Sequence, residues 1–207
     1  DEASFFGVNA PTTFPSSIVA GANAAGNLVL AGASTVDYLD DVNNAMATVE
    51  ADGFDVTGFW ARRQVKAKLR GLRDTTKGLL YYPDSPPSAE ANVGTLYGEK
   101  IVFSNAGLSG FATGAANYSM IMGEWDQSML AVRDDISMEM FDTGVITDNG
   151  TPPVIQYNLM QQDMVALRVT ARFAWAIPNP VNRQQSTKAN RYPFAVVQQK
   201  AATGGEG

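Results

Sequence analysis

The stretch WARRQVKAKLRGLRDTTK, residues 60–77, gathers more basic side chains than any other part of the sequence. On a helix, Arg62, Arg63, Lys66, Arg70 and Arg73 would share one broad side, the arrangement that phosphate binding needs. Val65, Leu69 and Leu72 would form the apolar stripe opposite, so the same bases also read as a solvated or acid-paired face. Other chemistry-bearing residues are present at unsuitable spacings. Asp37, Asp40 and Asp41 crowd together without the glycine of a calcium loop. Asp134 and Asp135 are adjacent, so on a strand they point to opposite sides, a poor geometry for a paired acid and base. Gly107, Gly110 and Gly114 do not spell a dinucleotide fingerprint, and in GLRDTTKG the lysine is out of place for a phosphate loop. Asn117-Tyr118-Ser119 is a glycosylation triplet at chance frequency. With no histidine and no cysteine among 207 residues, a Ser-His triad, a Cys-His pair and an ordinary zinc site are excluded. The expectation is no catalytic, cofactor-binding or metal-ligating residue, and no enzyme.

Charge is segregated along the chain. Residues 1–60 hold 8 acids and no base, 61–80 hold 7 bases and 1 acid, 81–167 hold 11 acids and 2 bases, and 168–207 hold 6 bases and 1 acid. Blocks of opposite sign suit a surface that meets copies of itself or a charged polymer. No apolar run approaches the roughly 18 residues of a membrane helix, and no segment resembles a signal peptide.

The elements that position these residues follow from periodicity. In VALRVTARFAWAI, Val165 to Ile177, apolar and thinner side chains alternate across all thirteen residues, which predicts a strand of about 43 Å at roughly 3.3 Å per residue. Its Val165, Leu167, Val169, Phe173, Trp175 and Ile177 face is expected to cover a core, and Trp175→Ala to cost about 3 kcal/mol or more. Residues 8–35, rich in Gly, Ala, Pro, Ser and Asn, read as an extended loop with at most short strands. Ser34 and Asp37 form a capping box for an amphipathic helix running to Asp52-Gly53. Phe54 to Trp60 reads as a strand, Ala61 to Arg73 as a helix, Leu79 to Tyr82 as a short apolar piece before the PDSPP turn, and EKIVFS (99–104) as a strand. A glycine-rich loop at 107–117 precedes MIMGEWDQSMLAV and ISMEMFD, expected to be neighbouring strands of a long sheet. A short helical turn at 158–163 leads into the long strand, and the tail AATGGEG is too small and polar to order itself. Strands and helices mix without a βαβ rhythm, which is an α+β pattern.

Four segments in order carry a resemblance to the major capsid proteins of tailed bacteriophages, the Hong Kong 97 fold family, which also includes encapsulins. DEASFFGVNAPTTFPSSIV (1–19) resembles the end and exit of the family's spine helix. FDVTGFWARRQVKAKLRGLRDTTKGLLYYP resembles its strand, helix and turn, the turn being Arg73 to Leu80 with one residue extra. LYGEKIVFSNAG (96–107) is similar to its Leu-x-Gly-x-x-Val … Ser pattern. MIMGEWDQSMLAVRDDISMEMF with NLMQQDMVALRVTARFAWAIPNP resembles its paired long strands, with Glu124-Trp125 where the family often has Asp-Phe.

The resemblance implies an α+β, Hong Kong 97-like fold: an axial domain plus part of a peripheral domain with long antiparallel strands. Residues 1–7 would end the spine helix in the peripheral domain, 8–118 form the axial domain, 119–164 the peripheral strands, 165–200 the return strand and completion of the axial domain, and 201–207 a disordered tail. The family's N-terminal arm, E-loop and most of its spine helix would precede Asp1. The implied function is a structural subunit of a phage or prophage icosahedral shell enclosing double-stranded DNA, acting by self-assembly. Its partners would be copies of itself in hexamers and pentamers, with packaged DNA met indirectly. No membrane or small-molecule partner is expected, and the location would be the virion, assembled in the bacterial host cytoplasm. Arg62, Arg63, Arg70, Arg73, Arg168 and Arg172 are the candidate inter-subunit contacts, with pairing to acids of the same subunit as the alternative. An encapsulin-like compartment, or a nucleic-acid-binding protein using the basic helix at 61–73, are the other readings.

Overall fold

A computed structural model describes residues 2–8, 10–31, 38–72, 93–104 and 117–199. The chain divides into one unit built from Asp1–Met129 and Trp175–Gly207 and another from Leu130–Ala174. In chain order the first unit holds α1 (Ile18–Ala25), β1 (Leu28–Ala31), α2 (Tyr38–Ala51), β2 (Gly58–Arg62), α3 (Arg63–Gly71), β3 (Val93–Leu96), β4 (Glu99–Ser104) and β5 (Asn117–Gly123). Then come β6 (Met129–Phe141), β7 (Val145–Thr147), β8 (Ile155–Asn158) and β9 (Ala166–Ala176), and finally β10 (Phe194–Gln199). The mixture is the expected α+β class.

Six strands of the first unit form one mixed sheet in the order β1-β10-β5-β2-β4-β3. β1 runs parallel to β10 and β2 parallel to β4; the other neighbours are antiparallel. The central strands alternate between two cores, as a period of two requires. Phe59, Ala61, Met120, Met122, Ala195 and Val197 face Val42, Ala45 and Val49 of α2 with Val65 and Leu69 of α3. Trp60, Ile121, Phe194 and Val196 face Ile18, Val19 and Ala22 of α1, with Trp175 beside them. Because both faces are covered, β5 and β10 read as nearly unbroken apolar runs.

The expectation of an extended loop with at most short strands over 8–35 is corrected by α1, whereas β1, four residues long, is such a short strand. Ala is the strongest helix former, and Ser17 caps the helix by accepting a hydrogen bond from Ala20 N at 3.2 Å. Ile18, Val19 and Ala22 supply a buried stripe, and Gly26 ends the helix at φ +89°, a conformation open to glycine. Other boundaries move by a few residues. The strand expected at Phe54 to Trp60 starts at Gly58, with Phe54 instead buried in the core. The following helix starts at Arg63, because Ala61 and Arg62 still pair with Phe103 and Ser104 of β4. EKIVFS is β4 as read. The capping box at Ser34 and Asp37, the Arg73 to Leu80 turn, PDSPP, the loop at 107–116 and the tail lie outside the described residues.

β10, the last strand in sequence, sits in the middle of the sheet. Buried polar groups hold the segment leading into it. Asp52 Oδ2, at the end of α2, accepts hydrogen bonds from Asn27 Nδ2 at 2.8 Å and Tyr192 N at 3.1 Å, and Asn182 Nδ2 donates to the Asp52 carbonyl at 2.6 Å. The Arg191 guanidinium, fully buried, donates to Asn179 Oδ1 at 2.7 Å, to Asn179 O at 3.2 Å and to Gln185 O.

In the second unit β6 pairs with β9 and β7 with β8, as two separate two-stranded pieces. β9 fulfils the long-strand reading at eleven residues, Ala166–Ala176. The helical turn before it is present, with Gln162 N donating to Asn158 O at 3.1 Å and Met164 N to Leu159 O at 3.0 Å. Two expectations are corrected. MIMGEWDQSMLAV and ISMEMFD are not neighbouring strands: Met120–Gly123 belongs to β5 of the six-stranded sheet, and Met129–Val132 continues into ISMEMF as the single strand β6 of the ribbon. The apolar face of β9 covers a core only at its end: Trp175, at 8%, and Ile177 join the α1-side core, whereas Leu167, Val169 and Phe173 are 62%, 52% and 57% exposed and meet no core among the described residues. Alternation says that a face is apolar but not what lies against it.

Candidate subunit interface

The candidate arginines divide between two elements. α3 buries Val65 and Leu69, so its geometry turns the intervening bases outward. Arg63, Lys68 and Arg70 are exposed, and Arg70 Nε donates to Lys66 O at 3.3 Å. Lys66 lies over the Phe103 ring at 5.5 Å, and Lys68 over the Tyr38 ring at 5.6 Å. Arg62 differs from these: it closes β2, is buried, and burial lowers its pKa from the ordinary arginine value. Arg73 lies outside the described residues.

Arg168 and Arg172 stand on β9 and pair across the ribbon. Arg172 Nη1 donates to Asp134 Oδ2 at 2.8 Å, Arg168 Nη1 lies 3.8 Å from Glu139 Oε2, and the hydroxyls of Ser137 and Thr170 meet at 2.6 Å. Partner numbers fall on β9 as they rise on β6, so the strands run antiparallel. With Arg133 and Asp135, these groups line a polar concavity of about 560 Å³. Such exposed pairs contribute about 0–1 kcal/mol each, so they fix register more than they stabilise. Both arginines thus have acids of their own chain as partners, the alternative weighed for them, and both remain more than 60% exposed.

The other side chains of the ribbon form an apolar surface, of which the sequence reading assigned the β9 half to a core. Leu130, Val132, Ile136, Met138 and Met140 of β6 are all 63% or more exposed, as β9's Leu167, Val169 and Phe173 also largely are. A two-stranded ribbon is at best marginally stable in water, and contiguous apolar patches of this kind mark interaction surfaces. The signal was in the sequence as period-two alternation on both strands. What was missing was any means to tell an apolar face left exposed from one covered by the rest of the chain.

No described helix is long and apolar enough to cross a membrane, and the described residues hold no group of three or more His, Cys, Asp or Glu that could grip a metal ion.

The phage capsid family matches this chain over residues 1–181. A solved structure from Microbacterium phage Oxtober96 superimposes with a TM-score of 0.73 at 32% identity, over 97% of this chain and 60% of that one. Structures from Mycobacterium phage Adephagia and Mycobacterium phage Cain each give 0.72 at 21% identity, a level that shows the fold alone. They are matched over 60% and 61% of their lengths, so the chain spans about three fifths of these relatives. No curated protein matches it in sequence.

Proposed function

The chain belongs to the phage capsid family, and from that premise we propose that it is a structural subunit of an icosahedral phage or prophage shell enclosing double-stranded DNA, working by self-assembly and without catalysis. One observation carries the reading: the chain contains a two-stranded ribbon whose large apolar side chains, Leu130 to Met140 on β6 and Leu167 to Phe173 on β9, are exposed. A lone soluble protein would be penalised by such a surface, whereas a tile gains from it once further polypeptide covers it. In this reading the six-stranded unit is the axial domain and the ribbon unit belongs to the peripheral domain. Copies meet as hexamers and pentamers in the virion after assembly in the host cytoplasm, and DNA is met indirectly. Arg63, Arg70, Arg168 and Arg172 are exposed enough to exchange partners with acids of neighbouring copies, setting register more than affinity. Electron microscopy of the full-length product expressed in bacteria tests this. Closed shells of uniform diameter are the expected result; a monodisperse small oligomer at every concentration would reject it.

A further inference from the structure

The six-stranded sheet leaves one apolar place open. On the face carrying Trp60 and Ile121, the α1-side core extends from β1 to β2. Val102 of β4, the register partner of Trp60, is 36% exposed there, and Lys100 beside it is exposed. Phe5, Gly58, Trp60, Val102 and Trp125, with Lys100 among the lining side chains, enclose a groove of about 320 Å³.

Its walls are fixed in advance. Trp125 Nε1 donates to Gly58 O at 2.9 Å, and Trp125 N donates to Thr57 Oγ1 at 3.0 Å. Phe5 packs against both indoles, with ring centres 5.9 Å from Trp60 and 5.7 Å from Trp125. A Cβ at Gly58 would come within 3.2 Å of Trp125 Cδ1 and of Lys100 O, so glycine lets the indole lie against the strand. A preformed aromatic pocket of this kind takes a side-chain anchor without the entropy loss of ordering its own walls.

Charge indicates what would enter. Lys100 is one of 2 bases against 11 acids in residues 81–167, yet among the described residues it has no ion-pair partner. An ammonium with no acid paired to it among the described residues opposes a cation in this groove and complements an apolar side chain next to a carboxylate. A chain of net charge −6 carries such pairings itself, Phe141-Asp142 for one. We propose that this groove receives an acid-flanked apolar segment of a second copy of the chain, with Lys100 meeting its carboxylate. The inference rests on the shell reading for the identity of the partner and adds where one contact is made.

The test mixes light and heavy-isotope preparations of the chain with a carbodiimide, which joins a lysine amine to a touching carboxylate as an amide. Mixed-isotope peptides linking Lys100 to an Asp or Glu beside an apolar residue are expected. In sedimentation, Lys100→Glu and Val102→Asp should each weaken self-association about tenfold or more, while Lys188→Glu, on a separate exposed turn, should not. Circular dichroism checks that the variants fold, and Lys100→Glu, at an exposed position, guards against a Val102→Asp chain that does not. Cross-links of Lys100 confined to one chain, variants that associate like the parent, or a chain monomeric at all concentrations would overturn the proposal. A groove that takes only a small apolar molecule would overturn it too. None of these outcomes touches the shell reading, which microscopy of the full-length product decides separately.

Discussion

Trp175 is the residue where the long strand's pattern and the packed core meet. It is 8% exposed among Ile18, Val19, Ala22 and Phe194, yet its buried indole N–H has no hydrogen-bond partner among the described residues. Two opposing costs follow: removing the ring opens a cavity, and keeping it leaves a donor unsatisfied. The cavity dominates, so Trp175→Ala should cost about 3 kcal/mol or more in urea unfolding. Trp175→Phe should cost clearly less, because phenylalanine refills much of the space and removes the orphan donor, a saving of about 1–3 kcal/mol. Equal losses in the two variants would mean that the indole's polar atom is satisfied after all.

Tyr38 gives a residue-scale handle on pH. Ser119 Oγ lies 2.9 Å from Val197 O and is hydrogen-bonded at 3.0 Å to the Tyr38 phenol. Burial, with a smaller contribution from Asp41, pushes its pKa from 10.0 up to about 12, against the opposing effect of Ser119. Burial likewise raises Tyr192 to about 12. A raised folded-state pKa favours the neutral form in the fold. The stability it contributes is therefore intact below about pH 10 and is lost as pH climbs towards 12. Melting temperatures followed through that window should fall less steeply for Tyr38→Phe than for the parent chain; an identical slope would place the phenol in water.

At the scale of elements, the ribbon and the sheet are stabilised differently. Arg168→Ala and Arg172→Ala should each change unfolding free energy by under about 1 kcal/mol, because both pairs are exposed and solvent-screened. A loss above 2 kcal/mol from either would mean that the pair is buried in solution by another surface. Elements with strong local signals were legible in advance: β9 from strict alternation, α2 from its apolar spacing, β4 within its six residues. α1 was hidden by composition, since a run rich in Gly, Ala and Asn looks like a loop until its cap at Ser17 and buried Ile18-Val19-Ala22 stripe are seen together. β10 was hidden for a different reason. FAVVQQ is short, and only pairing with β1 and β5, far away in sequence, gives it a place.

At the scale of the whole molecule, hydrogen exchange should separate the two units. Amides of β2, β5 and β10, covered on both faces, should exchange orders of magnitude more slowly than those of β6 and β9 in the isolated chain. In an assembled shell the ribbon amides should become protected as well. Ribbon amides already as slow as those of β10 in the monomer would remove the argument that this surface awaits a partner.

The amino-acid order by itself determined the class of secondary structure, the presence of a long amphipathic strand, and the exclusion of histidine, cysteine and ordinary zinc chemistry. These depend on residue type and near-neighbour spacing, which act through local backbone geometry. Through its ordered motifs it also carried the resemblance to a capsid family that the fold bears out. Only the tertiary structure decided which apolar faces are buried. Periodicity gives a side chain's direction, but burial depends on which distant segments are placed opposite it. For β10 those segments are in the same chain. For the exposed faces of β6 and of β9 up to Phe173, and for the groove at Lys100, they are not found among the described residues.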